Sequence, residues 1–149
     1  MNEMKIPDES DWEDFDPRSS IDTDDCHYYY FGKSNSEMRE SFERNVVLCG
    51  NGLRFMPIKP FQYYVLGFRD YVLNMGVEIW GRSDAASVYL NVILNVLEKK
   101  PAFVIPIFDQ LKDSINYVAE NQALYDADQA IYGSFIERRK KIFQLAGQH

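Results

Sequence analysis

From residue 34 onward, apolar positions recur every three or four residues, the period of a helix with one face turned to a core. Met38, Phe42, Asn45, Val46 and Cys49 form the first seam. Ser34 followed by Glu37 opens it as a capping box, in which hydroxyl and carboxylate satisfy first-turn amides reciprocally. Gly50-Asn51-Gly52 predicts its end, because Gly and Asn tolerate the left-handed cap. "LRFMPIKP" then reads as an extended connector held by Pro57 and Pro60. A second helix, "PFQYYVLGFRDYVLNMG", presents Phe61, Tyr64, Val65, Phe68, Tyr71, Val72 and Met75 as a wide apolar stripe. "VEIWG" reads as a short link whose Ile79 and Trp80 plug the core.

The third helix, "DAASVYLNVILNVLEKK", with Ser83 as its cap, is apolar around nearly its whole circumference. That marks it as the enclosed central element. A fourth covers about Ala102 to Asn121, with Val104, Phe108, Leu111, Ile115, Val118 and Gln122 on one seam and Pro106 in its first turn. A fifth runs from Asp126 to Ala146, turning Ile131, Phe135, Ile142 and Leu145 inward. "CHYYYF" is the one candidate strand. About five helices joined by short links predict an all-α, single-domain bundle over residues 34–149, preceded by a partly extended arm, residues 1–33.

Charge changes this picture at the front of the chain. Of 149 residues carrying a net charge of −7, residues 1–25 hold ten acids against Lys5 and Arg18, a balance of −8. Fourteen Lys and Arg against thirteen Asp and Glu leave the remainder at +1. A near-neutral body with an acidic leader attracts basic surfaces. The leader also carries rings, which a solvated tail does not require. Asp11, Glu13, Asp14, Asp16, Asp22, Asp24 and Asp25 are the candidate charges for a partner, and Trp12, Phe15 and Tyr28 the candidate anchors. The arm packs on its own bundle through such rings in this reading.

Catalytic chemistry finds little purchase. His27 beside Cys26, with Asp24 and Asp25 near, lacks the paired spacings of a zinc site and reads as a polar turn. "CGNG" follows a helix rather than preceding one, so it is no phosphate cradle, and there is no nucleophile elbow. Asp109 and Asp113 share a helix face away from the apolar seam and read as solvated, whereas a general acid–base pair must be semi-buried. Asn91 and Asn95, also a turn apart, read as an exposed strip or as bonded to neighbouring backbone. "ERRKK" is the only basic run, too narrow for a nucleic-acid face. Cys26 and Cys49 read as plain thiols. No apolar run reaches the ~20 residues that cross a bilayer, and the N-terminus lacks a secretory pattern. The expectation is a cytoplasmic, non-catalytic protein without cofactor or metal, a monomer or weak dimer that binds neither membrane nor nucleic acid directly.

Two features, the helix and connector "FMPIKPFQYYVLGFRDYVL" and the acidic stretch through Asp25, give the chain a resemblance. It resembles the immunity proteins of bacterial contact-dependent growth inhibition and related polymorphic toxin systems. Those are small, frequently acidic, and bind a cognate toxin domain to block its active site. The resemblance implies stoichiometric inhibition of a basic, nuclease-type toxin domain. It transfers no site residue, because such proteins share no common pattern. Two other readings stand beside it: a phage-type DNA mimic, which requires carboxylates spread over the body, and a small helical hydrolase, which requires Asp109, Asp113 or the Cys26–His27 pair at a deep pocket.

Overall fold

A computed structural model describes residues 5–12, 21–76 and 80–148, with only the backbone of residues 21–25. Every regular element among the described residues is a helix, and none is a strand. After a 3-10 turn at Glu9–Trp12 come α1 (Ile21–Tyr30), α2 (Asn35–Arg44), α3 (Val46–Gly52) and α4 (Ile58–Leu73). The central α5 (Arg82–Lys99) leads into α6 (Pro101–Val104), α7 (Phe108–Glu120), α8 (Gln129–Tyr132) and α9 (Phe135–Gly147). The all-α bundle expected from the periodicity is the fold observed.

The apolar circumference of α5 is enclosed as its sequence dictates. Ala85, Ala86, Tyr89, Leu90, Val92 and Ile93 are all fully buried, against α3, α4, α6 and α9. The Tyr89 hydroxyl hydrogen-bonds with Ser114 Oγ on α7 at 2.6 Å, so the ring enters the core without stranding its polar end. The capping box of α2 is formed in both directions, Glu37 N to Ser34 Oγ at 3.1 Å and Ser34 N to Glu37 Oε1 at 3.0 Å.

Several sequence expectations are corrected. "CHYYYF" is no strand: its first five residues end α1 and Phe31 follows in a turn, with Cys26 and Tyr30 buried. This helix packs on α3. Its geometry is fixed by two phenols. Tyr64 donates to Tyr30 O and Lys33 O, each at 2.7 Å, and Tyr30 donates to Cys49 O. The first seam breaks at Asn45, whose side chain caps Leu48 N, and α3 then runs through Gly50. That glycine is a close-approach residue rather than a helix stop. A Cβ there would lie 2.6 Å from Val88 Cγ1.

Trp80 does not plug the core; it is 96% exposed, and Ile79 lies outside the described residues. Gly81, at φ 86, precedes α5 in place of the expected Ser83 cap. Ser83 instead meets the Tyr132 hydroxyl at 2.9 Å, and Tyr132 also donates to Asp84 at 2.8 Å. Pro106 sits in a 3-10 turn, Ile105–Ile107, which splits the fourth predicted helix into α6 and α7; its missing amide removes the bond a continuous helix needs there. The fifth splits at Gly133, φ 77, where Ser134 caps Glu137 N to start α9. Asp128 caps α8, two residues after the expected start at Asp126. With the helix broken, Ile131 points to solvent at 75% exposure.

Candidate partner-binding surface

The acidic leader is attached to the body at residues 5–12. Asp8 organises this turn. Its Oδ1 accepts from Ser10 N and Ser10 Oγ, and its Oδ2 from Lys5 Nζ. The Ser10 hydroxyl above all, then Lys5, holds its carboxyl well below the usual range. Asp11 answers by accepting from Asp8 N at 2.9 Å, the local competition of side chain with backbone that favours turns over regular helix. Asp11 Oδ1 also stands 3.7 Å from Lys59 Nζ on α4.

Trp12 follows and enters the body, only 4% exposed. Its ring meets His27 edge-on at 5.5 Å, Phe31 at 6.0 Å and Tyr64 at 6.5 Å. In this conformation Trp12 serves the chain's own core; to anchor a partner it would have to leave that core. Tyr28 is the opposite case. At 75% exposure it touches Tyr29, 5.2 Å away and perpendicular. Residues 24 and 25 sit one helical turn before it, and Asp22 near the start of α1, where negative charge favours the helix dipole. Glu13, Asp14, Phe15 and Asp16 lie outside the described residues, as do the side chains of Asp22, Asp24 and Asp25. Asp8, Glu9, Ser10, His27 and Phe31 outline a shallow concavity over Trp12.

The groups a hydrolase would need are not brought together among the described residues. Asp109 is exposed on α7 and pairs with Lys112 at 3.3 Å, and Asp113 is exposed too. Cys26 is buried, and burial pushes its thiol up to about 12, far from nucleophilic. His27 belongs to the ring cluster around Trp12. Among the described residues no group of three or more His, Cys, Asp or Glu could hold a metal ion, and no helix is long and apolar enough to cross a membrane. Asn91 is exposed, and Asn95 accepts from Arg54 Nε at 3.1 Å. Of "ERRKK", Arg138 donates to Ser87 and lies over the Phe135 ring, and Arg139 pairs with Glu120 at 3.0 Å.

Sequence reasoning missed a groove between α2 and α4, lined by Asn35, Arg39, Phe42, Glu43, Asp70 and Tyr71 among others, with a volume of about 230 Å³. A glycine inside an otherwise aromatic helix, Gly67, was its only visible signal. No family model matches this chain, and no curated protein or solved structure matches it either.

Proposed function

We propose that this chain is a non-catalytic binding protein whose acidic N-terminal surface meets a cationic protein, as an immunity protein meets the toxin domain it neutralises. The observation that carries the reading is the attachment of the leader. Trp12 fastens the segment that holds Asp8, Glu9 and Asp11 onto the body, beside a helix that bears three further aspartates and an exposed Tyr28. Negative charge held on a rigid scaffold is preorganised for a basic surface, and steers its approach. An exposed tyrosine next to it supplies ring area at little entropic cost, as binding anchors do.

The DNA-mimic reading is less well supported, because it requires carboxylates spread over the body, and residues 26–149 hold fourteen Lys and Arg against thirteen Asp and Glu.

The test is binding to a basic nuclease-type toxin domain encoded beside this chain, followed by stopped flow at 20 and 200 mM salt. The expected result is a stoichiometric complex that abolishes nuclease activity, with an association rate that falls steeply with salt. Turnover of a generic ester or phosphoester by the chain alone, or an association rate indifferent to salt and to removal of residues 1–12, would overturn the proposal.

A further inference from the structure

We infer that the groove between α2 and α4 receives a single arginine side chain from a basic protein partner. The inference rests on the proposed function only for the partner's charge; the groove is described without it. Its volume of about 230 Å³ falls below the roughly 300–1,000 Å³ of pockets that take a whole small-molecule ligand. One long side chain is the matching occupant.

The walls select the chemistry. Phe42 is buried and Tyr71 half-buried in the groove, their ring centroids 5.3 Å apart. Tyr71, backed by Phe42, offers aromatic surface to an aliphatic stem or a flat cation. Glu43 from α2 and Asp70 from α4 stand in its lining with Arg39, and Arg69 holds Asp70 from outside the lining. Arg39 already faces Glu43 at 3.5 Å, but this pair is largely solvent-exposed, 71% and 44%, and such pairs contribute little. It yields readily to a better-placed guanidinium. Both bonds from Arg69 to Asp70 go to Oδ1, at 2.8 and 2.9 Å, and leave Oδ2 as an acceptor. Aromatic surface beneath and carboxylates to either side match a planar guanidinium, which stacks and donates in a fork, better than an ammonium.

The experiment uses the full chain and no partner, so its failure leaves the role of the N-terminal charge standing, and failure of the toxin experiment leaves the groove standing. N-acetyl-arginine amide is titrated while the backbone amides of Gly67, Tyr71 and Asn74 are followed by NMR, with the lysine and norleucine amides as comparators. Saturable shifts confined to this groove are expected for the arginine compound. Asp70→Asn and Glu43→Gln, both solvent-exposed positions, are each expected to weaken binding roughly 2- to 5-fold, the loss of one half-exposed charge pair. Shifts that do not saturate, an equal response to lysine or norleucine, or full affinity in both variants would overturn the inference.

Discussion

Asn35 lies so close over Gly67 that a Cβ on the glycine would stand 2.1 Å from Asn35 Oδ1. The asparagine has nowhere to retreat. Its Nδ2 donates to Tyr63 O at 3.0 Å and its backbone amide donates to the Tyr63 hydroxyl at 3.1 Å. Buried Oδ1 has no hydrogen-bond partner and occupies the space where a Gly67 side chain would begin. The crossing of α2 and α4 is thus set by one amide laid over one missing side chain.

Gly67→Ala is therefore expected to destabilise the fold. Alanine gains about 1 kcal/mol of helix propensity, while overpacking costs typically 1–3 kcal/mol and is at its worst where the neighbour is fixed. Urea unfolding should show a lower midpoint. Asn35→Ala removes the obstacle, so the double variant should lose less than the two singles combined, by roughly 0.5–3 kcal/mol. A midpoint that rises in Gly67→Ala would sink this account.

The two tryptophans should report opposite environments. With Trp80→Phe, the remaining Trp12 is in the core, and its emission should be blue-shifted and poorly quenched by acrylamide. With Trp12→Phe, the remaining Trp80, at 96% exposure, should emit at long wavelength and be quenched freely. Similar quenching of both variants would mean that residues 5–12 are not held on the body in solution.

That contrast also marks how far the sequence could be read. Helical periodicity from Ser34 onward was strong, because burying an amphipathic stripe fixes one face whatever the tertiary detail; hence α4, α5 and the seam of α7 stand where expected. Breaks within helices were not legible, since Asn45, Pro106 and Gly133 act through local backbone geometry that a three-four repeat spans unchanged. Ser134 and Glu137 did carry a capping pattern that could have located the start of α9. The α1 region misled in another way: four aromatics in a row look like β-propensity, yet tertiary contacts from Tyr30 and Cys26 decide for helix. As for the site, charge counting located the acidic leader, but which ring is turned inward depends on Tyr64 and Phe31, distant in sequence from Trp12.

Gln122 fastens the connector between α7 and α9. Its Nε2 donates to Ala127 O at 2.9 Å and to Gly133 O at 2.8 Å, while Phe135 N donates to its Oε1 at 2.9 Å. Gln122→Leu keeps apolar bulk but orphans a buried amide and two carbonyls. The expected cost is about 1–3 kcal/mol, with hydrogen exchange at Phe135 N accelerated beyond the change in global stability. Protection at Phe135 equal to wild type would show that other groups hold this turn.

Stability should fall in alkali before it falls anywhere else above neutrality. Burial pushes Cys26 from 9.0 to about 12, Cys49 from 9.0 to about 11 and Tyr125 from 10.0 to about 12. Tyr30, Tyr64 and Tyr89 are raised further, also chiefly by burial. The unfolded chain releases these protons at the ordinary values while the folded chain still holds them. Deprotonation therefore favours unfolding. The stabilisation is complete below about pH 9 and is lost as pH climbs from there through 12. Replacing both cysteines by alanine should move the onset up toward the tyrosine range near 10. Melting temperatures measured every half unit from pH 7 to 11 will show this shoulder, and an unchanged onset in the double variant would exclude the thiols as its source.

Tyr28 and the aspartates of α1 should affect complex formation in different ways. Tyr28 rests on Tyr29 alone among the ring contacts of the described residues, and is 75% exposed. Tyr28→Ala should leave the melting temperature within about 2 °C, because surface substitutions of this kind stay within roughly 0.5 kcal/mol. If the ring is an anchor, its loss appears in the dissociation rate of the toxin complex, as truncation of a desolvated contact does. The pair Asp24→Asn and Asp25→Asn removes charge and little volume, so it should slow association and flatten its salt dependence while dissociation changes little. Stopped-flow association at several salt concentrations, with dissociation followed by displacement, separates the two. If Tyr28→Ala and the aspartate pair alter the same rate constant, or neither, α1 is not the face that meets the partner.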